Sequence, residues 1–180
     1  MKIHGKERVS SLFISSPEEI FSVGRDGRLC TYRLTSNSVE LASTGKIRKG
    51  IDNTEKLYSI GPQEDHQMYV VGFYGGKLVV EGLDIGAQLL SIECGGLHRP
   101  HHFKFIASNG STIPMDPSYY TCTFLQRKHI HVHQSSLLHD KTSQLQQTFQ
   151  SQLHGLQVNV INFIGKKIII LIKYVILIIY

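Results

Sequence analysis

Short apolar runs separated by Gly-, Asp- and Ser-rich turns recur along most of this chain. Within each run the apolar residues follow a period of two, which is the period of strands. Phe21 to Val23 is one such run, and Gly24-Arg25-Asp26-Gly27 follows it as a tight turn. Asp-Gly is a strong hairpin signal, because both residues tolerate the positive φ that hairpin turns require. The next stretch alternates, with Leu29, Thr31 and Arg33 on one face and Cys30, Tyr32 and Leu34 on the other. Val9 to Ile14 reads as a strand before this hairpin, and Val39 to Ser43 as an outer strand after it. The first fifty or so residues therefore predict one four-stranded antiparallel meander.

The same series starts again twice. Leu57–Ile60, Met68–Phe73, Leu78–Glu81 and Leu89–Cys94 form a second set, turning at Gly75-Gly76. Phe103–Ile106, Tyr119–Phe124, His129–His133 and Leu145–Phe149 form a third, turning at Gln126-Arg127-Lys128. The hairpin turns centre near residues 26, 76 and 127, a spacing of about fifty, near the upper end of propeller blade repeats. His4-Gly5 and His154-Gly155 bracket the three sets, as such pairs do before the first strand of a blade. This pattern predicts an all-β fold, a partial WD-repeat β-propeller of about three four-stranded antiparallel blades. The blades fall at about 4–50, 51–97 and 98–153, with the start of a further strand at 154–164. Tyr32-Arg33 stands where the repeat carries its Trp-Asp pair. Gly24, Asp26, Gly27, Gly75 and Gly76 are assigned as structural turn residues. Apolar residues at helical spacing are scarce, with Ser135–Gln152 a partial exception.

Three blades cannot close a ring, since propellers have typically four to eight, so the sequence is expected to be a fragment of a longer protein. The Ile-rich stretch at 165–180 differs in composition from all that precedes it. It is interrupted by Lys173 and is too short for a membrane helix, which needs about twenty apolar residues, so no membrane span is expected. It is expected to lie outside the propeller sequence.

Composition narrows the function classes. Of 180 residues, 41% are hydrophobic and 18% charged, which excludes an intrinsically disordered chain. The net charge of +5 is compatible with an RNA or acidic partner without requiring one. Cys30, Cys94 and Cys122 are odd in number and form no Cys-x-x-Cys pair, so neither a disulfide framework nor a zinc ribbon is expected. The N-terminus lacks the apolar core of a signal peptide, and a reducing, cytoplasmic location is expected.

No catalytic set stands out. Gly24–Gly27 lacks the Gly-Lys-Ser/Thr spacing of a phosphate loop. His129, His131 and His133 share one strand face, yet alternate strand residues stand nearly 7 Å apart, so a polar outward face is expected in place of a zinc site. Cys94 with His98 lacks an orienting third group. The chain is therefore expected to be no enzyme, with no metal or cofactor of its own. Basic residues on loops remain as candidate RNA or partner contacts, chiefly Lys46, Arg48 and Lys49, joined by His98 and Arg99.

The run Ile92-Glu93-Cys94-Gly95-Gly96-Leu97-His98-Arg99 resembles a Cys-Gly-Gly-x-His-Arg segment of the WD repeat-containing protein 6 family. Ser22-Val23-Gly24-Arg25-Asp26-Gly27 is similar to that family's blade with a Gly-Arg-Asp-Gly turn. His4-Gly5-Lys6, with Val9 and Ser11 after it, and Leu153-His154-Gly155 are similar to its blade starts. The resemblance covers about residues 3 to 164. It implies a non-catalytic scaffold that partners an FtsJ-like ribose methyltransferase and supports 2′-O-methylation at the wobble position of the tRNA anticodon loop. The methyl donor would then bind the partner, and tRNA would be held through the complex. The alternative is a generic WD-repeat protein-protein interaction module in signalling or trafficking.

Overall fold

The computed structural model describes residues 4, 7–47, 51–61, 66–106, 119–127, 129–137, 145–150, 158–164, 167–172 and 175–179. These residues form fifteen strands in four antiparallel sheets, and each sheet is a meander in chain order. The first sheet holds β1 (Val9–Ser16), β2 (Glu19–Gly24), β3 (Arg28–Leu34) and β4 (Val39–Lys46). The second holds β5 (Asn53–Ile60), β6 (Gln67–Tyr74), β7 (Lys77–Gly82) and β8 (Ala87–Glu93). The third holds β9 (His101–Ile106), β10 (Tyr119–Gln126), β11 (His129–Ser136) and β12 (Leu145–Gln150). The fourth holds β13 (Val158–Ile164), β14 (Lys167–Ile172) and β15 (Val175–Ile179). An all-β architecture of successive antiparallel meanders is thus what this sequence forms. The Ile-rich segment supplies β14, which pairs with β13, and β15, which pairs with β14. Among the described residues no helix is long and apolar enough to cross a membrane.

The chain divides into two compact units, Met1–Gly96 and Leu97–Tyr180. In the first unit, two sheets meet face to face. Val23 of β2 and Leu57, Met68, Val70 and Val79 of the second sheet form a buried cluster with Ile47 and Ile51 of the connection. Phe13, Phe21 and Leu29 pack against its margin. Register explains the grouping. Phe13 lies opposite Phe21 and Val23 opposite Leu29, so all four side chains leave the first sheet on one face. The opposite face carries Leu12, Ile14 and Val39, which are 67%, 67% and 64% exposed. β6 and β7 differ, because every residue from Met68 to Phe73 and from Leu78 to Gly82 is buried, on both faces. Their near-continuous apolar runs reflect that double burial.

In the second unit, one face of the third sheet is aromatic. Phe103 meets Phe105 edge to face at 5.2 Å and stacks on Tyr120 at 5.7 Å. Phe124 lies directly opposite His131 and stacks on it at 5.0 Å, and on His133 at 5.4 Å. The strand-face alternation of the three histidines is as the sequence predicts, but His131 and His133 are half-buried ring partners and not solvated groups.

Candidate functional site

The turn expected to organise the first sheet is the centre of a buried polar network. His4 Nδ1 stands 3.0 Å from Asp26 Oδ1, and His4 Nε2 stands 2.7 Å from Ser22 Oγ. Ser22 Oγ in turn stands 2.9 Å from the Tyr32 hydroxyl. A carboxylate only accepts, so in the neutral ring Nδ1 carries the proton and donates it to Asp26. Nε2 then accepts from the Ser22 hydroxyl, and Ser22 Oγ accepts from Tyr32. Asp26 Oδ1 also accepts from the Arg28 backbone N–H at 3.1 Å, which fixes the carboxylate over its own turn.

Each position in this turn has a local reason. A Cβ on Gly24 would lie 2.6 Å from His4 Nδ1, so only glycine leaves room for the imidazole. Gly27 has φ of 69°, and a Cβ there would lie 2.8 Å from the Ile51 carbonyl oxygen. Its own carbonyl accepts from the Ile47 N–H at 2.9 Å, and the Gly24 carbonyl accepts from the Thr54 hydroxyl. The turn thus ties the first sheet to the segment leading into the second.

Ser22, His4 and Asp26 have the order of a nucleophile, a base and an orienting acid. Their burial decides against that chemistry. Ser22 is 0% exposed and His4 5%, and the Tyr32 hydroxyl occupies the serine oxygen's remaining side. The relay instead satisfies buried polar groups and fixes the entry of the chain into β1.

Gly75 and Gly76 form the corresponding turn of the second sheet, with φ of 55° at Gly75. The Gly76 carbonyl accepts from the Cys94 N–H at 3.1 Å and the Gly95 N–H at 2.8 Å. The Cys-Gly-Gly run is therefore folded onto the Gly-Gly turn. Gly95 and Gly96 have φ of 82° and 93°, and a Cβ on Gly96 would lie 3.3 Å from the Gly75 carbonyl. Burial pushes the Cys94 thiol above its ordinary range, the reverse of what a nucleophilic cysteine needs.

The candidate contact residues are less closely grouped. Lys46 is exposed at the end of β4, opposite Arg28. His98 and Arg99 are exposed just after the Gly95-Gly96 run, and the Arg99 carbonyl accepts from His101 Nδ1 at 2.9 Å. Arg48 and Lys49 lie outside the described residues. Among the described residues, no group of three or more His, Cys, Asp or Glu could hold a metal ion. The sequence signalled His4, Asp26 and the turn glycines; it gave no sign that Ser22 and Tyr32 complete their network, beyond their alternate places on adjacent strands.

No family model and no curated protein matches this chain. Among solved structures, it is similar to a protein from Bacteroides uniformis ATCC 8492 described as a candidate 6-phosphogluconolactonase. The TM-score is 0.50 at 13% identity, covering 91% of this chain and 47% of that one. It is also similar to the β-propeller domain of Cps50 (Swd1) from Myceliophteria thermophila, with a TM-score of 0.49 at 10% identity, covering 93% of this chain and 52% of that one. The chain spans about half the length of the solved chains it matches. At such identity the first likeness concerns fold alone, and the fold held in common is an all-β one of repeated antiparallel sheets.

Proposed function

We propose that this chain is a run of WD-repeat propeller blades in a non-catalytic, cytoplasmic scaffold. Its role in that reading is to support 2′-O-ribose methylation of the tRNA anticodon loop at the wobble position. An FtsJ-like ribose methyltransferase would be the partner that carries the methyl donor and the chemistry. The carrying observation is that three residues of the family resemblance, His4, Ser22 and Asp26, are joined in a structural network in which His4 and Ser22 are buried. A Ser–His–Asp relay closed to substrate favours a scaffold over a hydrolase. The first meander sheet buries one face on the second, which also favours stacked blades.

The test is affinity purification of the protein with identification of its partners, together with mapping of wobble-base ribose methylation after its depletion. Co-purification of an FtsJ-like methyltransferase and loss of the wobble methyl group are expected. Purification without any such enzyme, with methylation unaltered, defeats the reading. The exposed Leu12, Ile14 and Val39 favour a second reading, a protein-protein interaction module in signalling or trafficking. Recovery of a stable protein partner that is lost on substituting those residues, with no methyltransferase present, would establish it.

A further inference from the structure

The tip of the β10–β11 hairpin opens into a cavity of about 440 Å³ lined by Gln126, Arg127, His129 and His131. That volume lies within the range of small-molecule sites, roughly 300–1,000 Å³. Its described lining holds one permanent cation, one amide and two imidazoles, and no carboxylate. The chemistry favours an anion with a planar ring attached.

The backbone adds an independent observation. Gln126 pairs with His129 and Tyr74 pairs with Lys77, so both hairpins close through two-residue loops. Such loops need a left-handed first residue, and the β6–β7 hairpin supplies Gly75, with φ of 55°. The β10–β11 hairpin places Arg127 there, with φ of 52°. It is the one non-glycine residue with positive φ among the described residues. A long cationic side chain thus holds a position that the turn itself would fill better with glycine.

The rings beside it are held in place. His131 is stacked on Phe124 at 5.0 Å with 11° between planes, and His129 lies 6.3 Å from His131. Burial, with His129 as neighbour, lowers the affinity of His131 for protons, so it presents a neutral flat ring at pH 7. The Gln126 amide, opposite His129 in register, offers a donor and an acceptor together.

We propose that this cleft binds a nucleotide, with its phosphate on the Arg127 guanidinium, its base against the His129 and His131 rings, and Gln126 at the base edge. The ligand is either a free mononucleotide or one nucleotide of a single strand, which share this chemistry. The inference goes beyond the scaffold reading and does not depend on it. Nucleotide binding can fail while wobble methylation still requires the protein, and the reverse also holds.

The experiment titrates the full 180-residue chain with AMP, ribose 5-phosphate and a labelled single-stranded RNA of about six nucleotides. Arg127→Gly and His129→Ala are titrated alongside, and every variant is melted. Saturable binding of AMP or of the RNA is expected, and which of the two binds more tightly identifies the source. Arg127→Gly should weaken binding about tenfold or more, by loss of a charge-assisted phosphate contact, while melting at the same or a higher temperature. His129→Ala should weaken binding by roughly fivefold or more through lost stacking. The proposal is overturned if neither nucleotide probe binds, or if Arg127→Gly binds as the parent does. Equal binding of ribose 5-phosphate and AMP overturns it too, since the base is then unread. So does a lowered melting point in Arg127→Gly, which would make the arginine a structural residue.

Discussion

His4 and Asp26 are separated by 22 positions in the chain, yet their side chains meet at 3.0 Å, with His4 buried to 4% side-chain exposure. The contact holds the segment before β1 against the β2–β3 turn, and it orders the rest of the network. His4→Ala would strip Ser22 Oγ and Asp26 Oδ1 of a partner together. Ser22 keeps Tyr32 and Asp26 keeps the Arg28 N–H, so a loss of roughly 2–3 kcal/mol in unfolding free energy is expected, from two lost hydrogen bonds and the space the buried imidazole leaves. Tyr32→Phe removes only the outermost hydroxyl, from a half-buried ring, and should cost about 1 kcal/mol. Urea denaturation of the two variants measures both; equal small losses would show that the network does not bind the first sheet.

Two turn glycines with left-handed φ should respond differently to a methyl group. At Gly75 a Cβ would meet nothing within 4 Å, so Gly75→Ala bears only backbone strain, about 1–2 kcal/mol. At Gly27 the same strain is joined by a contact of 2.8 Å to the Ile51 carbonyl, which the backbone must move to relieve. Gly27→Ala should therefore be the more damaging, by about 1 kcal/mol or more. Thermal melts of the two variants decide it, and the reverse order would contradict the packing of the turn on Ile51.

Stability should fall on acidification through the third sheet. Burial, first, and neighbouring imidazole charge hold His131 and His133 below the ordinary value of 6.5. Below that value the unfolded chain binds protons that the folded chain does not. The two groups therefore contribute stability above about pH 6.5 that is lost as pH falls through their lowered folded values. The denaturation midpoint should drop between pH 7.5 and pH 5, and the drop should shrink in a His131→Gln/His133→Gln variant. An identical drop in that variant would assign the effect to other groups.

The two faces of the first sheet should separate stability from association. Val23 is fully buried in the cluster with Leu57 and Val70, and Val23→Ala should cost roughly 2 kcal/mol. Leu12 and Ile14 are 67% exposed, so Leu12→Lys/Ile14→Lys should shift stability by under about 1 kcal/mol. The same double change removes an exposed apolar patch and should reduce self-association seen by light scattering. Unchanged scattering would show that this face is not sticky.

Strand positions were legible because their signals are local. Alternation marks Leu29–Leu34 as a strand, and Asp26-Gly27 and Gly75-Gly76 mark the turns, each within a few residues of chain. The histidine stripe was legible as a shared face and illegible as an environment. Its alternation follows from the pleat, whereas its stacking on Phe124 depends on the register of β10 against β11. The pairing of β14 and β15 was hidden for a related reason, since the continuously apolar runs on either side of Lys173 carry no alternation to assign faces.

By itself the sequence determined an all-β chain of successive meanders and the places of its hairpin turns. Those properties follow from side-chain periodicity and from backbone conformations that only certain residues adopt. Only the tertiary structure decided that Ser22, His4, Asp26 and Tyr32 close one buried network, and that Arg127 strains a turn beside two half-buried rings. Those meetings join residues on different strands or across many positions, and their distances are set by sheet register and packing, which no local pattern encodes.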